Sequence, residues 1–316
     1  MLPQMLQSLT ASRLLFVFIA IASVAAGCSS TRTDLRTVLP GDALVYLEAK
    51  DLLAVVTAMS EAEAFRAAAT QPVDADVLEG IEIAVAVTGF ETTEQRLNDE
   101  ASVLNFQPRF VAAAETHLWN FQVIAFAEQS LGAFINDVYG GEVLLETSDR
   151  YQGKYFVWTA VDGRKAFAYA EGSLLFFGND ESAIERALSA KRGEIDAIAR
   201  NPKITSGERL TFAYVSPDGL AQLSNIAAVS FAKNSTEAPE AQGIVARILP
   251  ELLRNSLREI TWTATRTEQG IEDRYTVTTD QELATVFAET IAPAAREANA
   301  GHAPIAPGAV SVTRYD

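Results

Sequence analysis

Residues 154–177 read KYFVWTAVDGRKAFAYAEGSLLFF, and this stretch decides the fold. Residues 154–161 and 165–170 are runs of β-branched, aromatic and small side chains on either side of Asp162-Gly163, a dipeptide that favours a tight hairpin turn. Glu171-Gly172 makes a second turn into residues 173–177. Phe156 and Trp158 alternate with Tyr155 and Val157, so both faces of the strand are apolar. Such a strand belongs in a sheet covered on both sides. The local aromatic enrichment, Tyr151, Tyr155, Phe156, Trp158, Phe167, Tyr169, Phe176 and Phe177, is first explained as core. The other reading is an apolar binding surface for a lipid or peptide at Tyr151, Tyr155 and Trp158.

Working toward the N-terminus, residues 128–139 carry Leu131, Phe134, Ile135 and Val138 at helical spacing, with Gly140-Gly141 as the stop. Residues 109–115 and 119–127 read as a hairpin turning at Thr116-His117-Leu118. Residues 91–107 are polar and read as a loop. Ile81, Ile83, Val85 and Val87 alternate on a half-buried strand. Ser60 and Glu63 form a capping box for a helix over 61–69, and Asp51 caps another bearing Leu52, Leu53 and Val56. The body opens with the turn Pro40-Gly41-Asp42 and a strand over 43–49.

Working toward the C-terminus, Asn179 or Asp180 caps a helix whose Ile184 and Leu188 face inward. Residues 192–208 are polar and read as a linker. Beyond them the opening pattern recurs. At an offset of about 168 residues Tyr46 falls on Tyr214, Leu47 on Val215 and Leu52 on Leu220, with Ser216-Pro217 as cap and first helical residue. Other offsets set Ile81 on Ile260 and Leu131 on Leu283. The expected fold is α+β: antiparallel sheet segments with packed helices, in two related lobes. The divisions are a leader at 1–27, a tether at 28–36, a first lobe with a β-meander at 37–191, the linker, a smaller lobe at 209–291, and a Pro/Ala-rich tail at 292–316.

The leader carries one charge, Arg13, before the apolar run LLFVFIAIASVAAG at 14–27. A helix of that length spans only ~21 Å, short of the ~30 Å hydrocarbon core, so export signal is the better reading than permanent span. The run ends Val24-Ala25-Ala26-Gly27-Cys28, which resembles the lipobox of bacterial lipoproteins, with Ala25 in place of the usual Leu. That resemblance implies cleavage before Cys28, acylation of its thiol, and a body held beside the membrane. Ser29 implies the outer membrane, facing the periplasm. Leu39-Pro40-Gly41-Asp42 with Tyr46-Leu47-Glu48, Asp162-Gly163-Arg164 and residues 172–178 also resemble a family of bacterial secreted proteins classed as a domain of unknown function. The likeness spans residues 37–200 and implies a fold without a mechanism.

Formal net charge is −16 over 316 residues. Such a surface is repelled by nucleic-acid phosphates and favours basic or neutral partners. The expected partners are the membrane, through the N-terminal lipid, and envelope proteins, and no nucleic acid. Cys28 is the one cysteine, and the histidines are His117 and His302. No catalytic residue, cofactor site or metal site is therefore assigned. The carboxylate pairs Glu61/Glu63, Asp74/Asp76 and Asp180/Glu181 read as capping or solvated groups. The expected function is non-enzymatic binding or structure at the membrane. A hydrophobe-binding carrier and a carboxylate-based hydrolase are the alternatives.

Overall fold

The computed structural model describes residues 32–61, 78–96, 102–205, 207–235, 248, 250–251, 255–267, 270–282 and 284–285. The leader, Cys28, most of the second helix expected over 61–69 and the tail at 292–316 lie outside the described residues.

The fold begins at Asp34, whose carboxylate caps the short 3-10 turn Leu35–Thr37. Leu35 is already buried, so residues 34–36 are part of the body and not of the tether. The chain then enters β1 (Val45–Ala49), which points Tyr46 and Glu48 to one face of the sheet. Asp51 accepts a hydrogen bond from the Ala54 amide at 2.8 Å and starts α1 (Leu52–Glu61). β2 (Glu82–Arg96) and β3 (Ser102–Glu115) follow as a long hairpin, with Glu91 opposite Gln107. The described part of the region expected as a loop, 91–96 and 102–107, is therefore strand. Its polar sequence carries no apolar alternation to mark it.

Residues expected as the second arm of a hairpin are helical. Trp119-Asn120-Phe121-Gln122-Val123 alternates like a strand, but the buried positions are Val123 and Ala127, four apart. The Trp119 amide donates to Gln122 Oε1 at 2.9 Å, closing the first turn of α2 (Asn120–Phe126). A π turn, Ala127–Leu131, joins it to α3 (Gly132–Tyr139), which stops at Gly140 with φ 73°. Only a glycine reaches that left-handed conformation without strain.

The meander β4 (Val143–Arg150), β5 (Gly153–Ala160), β6 (Lys165–Glu171) and β7 (Leu174–Gly178) matches the expected turns. α4 (Glu181–Lys191) is capped by Asp180, which accepts from the Ser182 amide. β8 (Thr211–Val215), α5 (Pro217–Ser235), β9 (Leu257–Thr267) and β10 (Gly270–Thr279) complete the sheet. α5 begins where Ser216 Oγ accepts from the Gly219 amide, as expected from Ser216-Pro217. Gly219 is required there because a Cβ would collide with the Leu44 carbonyl.

One ten-stranded antiparallel sheet results, in the order β10-β9-β8-β1-β2-β3-β7-β6-β5-β4. On one face Tyr46, Tyr155, Phe167, Tyr169 and Phe176 pack with Ile184 and Leu188 of α4. On the other, Phe156, Trp158 and Leu175 pack with Val123 of α2, Ala127 of the π turn and Ile135 of α3. The α+β class and the two-sided meander are as expected. The residues expected to link two lobes are instead core: Ile198 and Ile204 are buried, and Ala197 bridges Pro40. The described residues from Asp34 onward form one compact unit.

The expected repeat takes an unexpected form within that unit. β1 and β8 are antiparallel neighbours, with Tyr46 directly opposite Tyr214, Val45 opposite Val215 and Leu47 opposite Ala213. That register is that of a local two-fold at the tyrosine pair. Strand, helix and hairpin follow on each side, β1-α1-β2-β3 and β8-α5-β9-β10. Val87 lies opposite Val45, and Trp262 opposite Ala213, so Val85 takes the place of Ile260. The sequence offset that put Ile81 there is displaced.

Candidate functional site

The structure separates the three aromatic residues proposed as a binding surface. Tyr155 and Trp158 are fully buried, on opposite faces of β5. They are core, because adjacent β5 residues face opposite sides and both sides are covered. Tyr151 alone is exposed, at 63 %, in the β4–β5 turn. It holds φ 53°, an unusual conformation for a bulky residue. The Arg192 guanidinium lies 4.4 Å over its ring, and its hydroxyl donates to Glu185 at 3.4 Å. Arg150 meets both Glu181 and Glu185, at 3.3 and 3.0 Å, and sits 3.9 Å over the Tyr155 ring. This network fastens the turn to α4.

A concavity with a mixed lining lies instead on the α2–α3 side of the sheet. It encloses about 950 Å³ between the β2–β3 hairpin, α3 and the β5–β6 turn. Its floor and walls are Phe110, Phe177, Phe134, Ile135 and Val138. Phe110 and Phe177 meet edge to face at 6.0 Å. Phe134 and Val138 are each more than half exposed at the mouth. The apolar arc of α3 is wider than the surface it covers. Ile135 and Gly132 face the sheet, Gly132 close against the Trp158 indole, and the neighbouring flank is left facing the cleft.

Polar contacts fix the walls. Asn179 accepts from the Phe110 amide at 3.0 Å and donates to the Pro108 carbonyl at 2.8 Å, tying the hairpin to the end of β7. Tyr139 donates to the Lys165 carbonyl at 2.9 Å, and burial pushes its phenol pKa up. Arg164 binds Asp162 at 2.6 Å, donates to the Tyr139 carbonyl at 3.1 Å and lies over its ring. The Arg164 side chain holds Asp162 below the ordinary carboxylate range, the Arg164 backbone amide contributing first. Glu91 faces Arg109 across the hairpin at 3.9 Å. An apolar floor is thus bordered by a charged rim in which Asp162 with Arg164 and Glu91 with Arg109 are paired.

A second polar cluster is buried at the local two-fold. Glu48, 8 % exposed at its side chain, accepts from the Tyr46 hydroxyl at 3.1 Å. Arg209 lies 3.9 Å from the same carboxylate and 3.7 Å over the Phe212 ring, and its Nε makes no hydrogen bond. Desolvation holds the Arg209 pKa below its ordinary value, and the same cause pushes the Tyr46 phenol up. Packing encloses this cluster on the sheet face opposite the cleft.

Of the carboxylate pairs, Asp180 caps α4 and Glu181 pairs with Arg150, while Glu63, Asp74 and Asp76 lie outside the described residues. His117 packs beside the buried Glu115, with 3.9 Å between Nδ1 and Oε1, and takes φ 56°. His302 is outside the described residues. Among the described residues no three His, Cys, Asp or Glu side chains converge as metal ligands. None of their helices is long and apolar enough to cross a membrane. Sequence reasoning did not find the cleft, because Phe110, Phe134 and Phe177 come from three separate elements. The one signal was the excess width of the α3 apolar arc. No family model, curated protein or solved structure matches this chain.

Proposed function

We propose that this chain is a membrane-tethered binding protein of the bacterial envelope, held at the outer membrane by acylated Cys28 and docking a partner protein in the α3 cleft. The observation that carries the docking reading is the pair Phe134 and Val138, exposed on a rigid helix at the mouth of an apolar-floored cleft. Aromatic side chains in such a setting dominate binding energy. The net charge of −16 favours a basic or neutral partner surface. The lipobox resemblance of residues 24–28 supports the tether, which raises the effective concentration of the cleft toward other envelope components.

A photo-crosslinking residue at Val138, in cells producing the full chain, tests this reading. It is expected to give a discrete adduct that the same probe at Glu272 does not give. Phe134→Asp is expected to remove that adduct with folding unchanged, because Phe134 is largely exposed. Identical adducts from both positions, or an adduct indifferent to Phe134→Asp, would contradict it.

A further inference from the structure

Leu118, Trp119 and Phe121 form an exposed apolar cluster where β3 passes into α2, with Trp119 61 % and Phe121 68 % exposed. The loop that presents them is firmly built. The Thr116 amide and hydroxyl both donate to the Ser173 carbonyl, at 3.0 and 2.8 Å. The Leu118 amide donates to Thr116 Oγ1 at 3.3 Å, and Asn120 accepts from the Gly172 amide at 3.0 Å. His117, in the left-handed conformation, turns the chain outward between these anchors. Water-exposed tryptophan and phenylalanine on a hydrogen-bonded turn are pre-organised for an apolar environment outside the protein.

The place of the cluster indicates which environment. Leu52 donates to the Ile81 carbonyl, and Glu82 pairs with Glu115, so Lys50, Ile81 and Thr116 share one end of the sheet. Asp34, where the chain enters the fold, caps the 3-10 turn Leu35–Thr37, and that turn packs on β2 and β3. Residues 28–33 extend at most ~20 Å from Asp34, and β3, on which the entry turn packs, runs directly into Thr116 and the aromatic turn. A bilayer anchoring Cys28 is therefore within reach of the aromatic turn.

We infer that Leu118, Trp119 and Phe121 dip into the headgroup region of the bilayer that holds the chain, seating the sheet end-on against it. The inference rests on the tether proposed above. Tryptophan favours that layer, where an amphipathic ring has apolar and polar neighbours together. With a net charge of −16, the contact is apolar and not an attraction to anionic headgroups.

The test uses the full chain reconstituted into phosphatidylcholine vesicles, with or without bromine on the acyl chains near the headgroup. Brominated lipid is expected to quench roughly a third of the emission, the share of one of three tryptophans. Trp119→Phe should abolish the quenchable fraction, and Phe121→Ser should reduce it several-fold. Both sites are largely exposed, and near-ultraviolet circular dichroism checks that the variants remain folded. A chain that floats with the vesicles yet keeps Trp119 unquenched, as a protein cover over the turn would cause, overturns the contact alone. A chain that does not float overturns the tether and the contact with it.

Discussion

Glu48 and Arg209 sit almost out of water, close to each other but 3.9 Å apart at best. A buried charge is tolerated only while its partner remains, and the pair itself gains little over apolar packing. Arg209→Met and Glu48→Gln should each destabilise the fold by about 3 kcal/mol, since the first leaves Glu48 to the more exposed Lys50, 3.9 Å away, and the second takes the carboxylate from Arg209. The double substitution should cost at least ~1 kcal/mol less than the sum of the two. Denaturant unfolding of the four proteins measures this, and additive losses would show that the two groups do not interact. Nothing in the sequence around Glu48 announces this pairing. Glu48 alternates with Tyr46 and Lys50 as any edge carboxylate might, and Arg209 is far away in the chain. Tyr155 and Trp158 show the converse limit. Their aromatic character was legible, but whether an aromatic faces core or cleft depends on what covers the sheet.

Among the elements, those with strong local signals were legible: the Asp162-Gly163 hairpin, the Asp51, Asp180 and Ser216 caps, and the Gly140 stop. The misread elements lack such signals. The outer β2–β3 hairpin has no apolar period in its sequence, and α2 is too short for its period to beat the chance alternation of Trp119, Phe121 and Val123. The β6–α4 junction yields a pH prediction. Glu171 accepts from Tyr169 at 2.8 Å and from Lys191. Burial opposes its ionisation, but these two donors outweigh it and hold its pKa below the ordinary value. A carboxylate depressed in the folded state stabilises the protein above its unfolded pKa, and this contribution is lost as pH falls through the folded value, below the ordinary glutamate range. Glu171→Gln should therefore cost about 1–2 kcal/mol at pH 7, with the gap to wild type closing in acid. Urea unfolding at pH 7 and pH 3 reads this out, and a gap equal at both would contradict it.

At the scale of the whole molecule, the recurrence of Tyr46 at Tyr214 was visible in the sequence and the pairing of β1 with β8 was not. Matching Tyr46 with Tyr214 implied equivalent units, and two units in a chain are ordinarily separate lobes. Here they are joined edge to edge at that same tyrosine pair, and the residues that looked like a linker return to the core through Ile198 and Ile204. Pairing between strands distant in sequence leaves no local mark. The first half then extends through β7 to β4, and this extension supplies α3 and the cleft. One sheet thus carries the proposed docking cleft on one face and the exposed aromatic turn at one end. Both features gain their proposed meaning from attachment at Cys28. Metabolic labelling with a radioactive fatty acid, followed by isolation of the chain, tests that attachment most directly. The account predicts label on the wild-type protein and none on Cys28→Ala; equal label on both would contradict it.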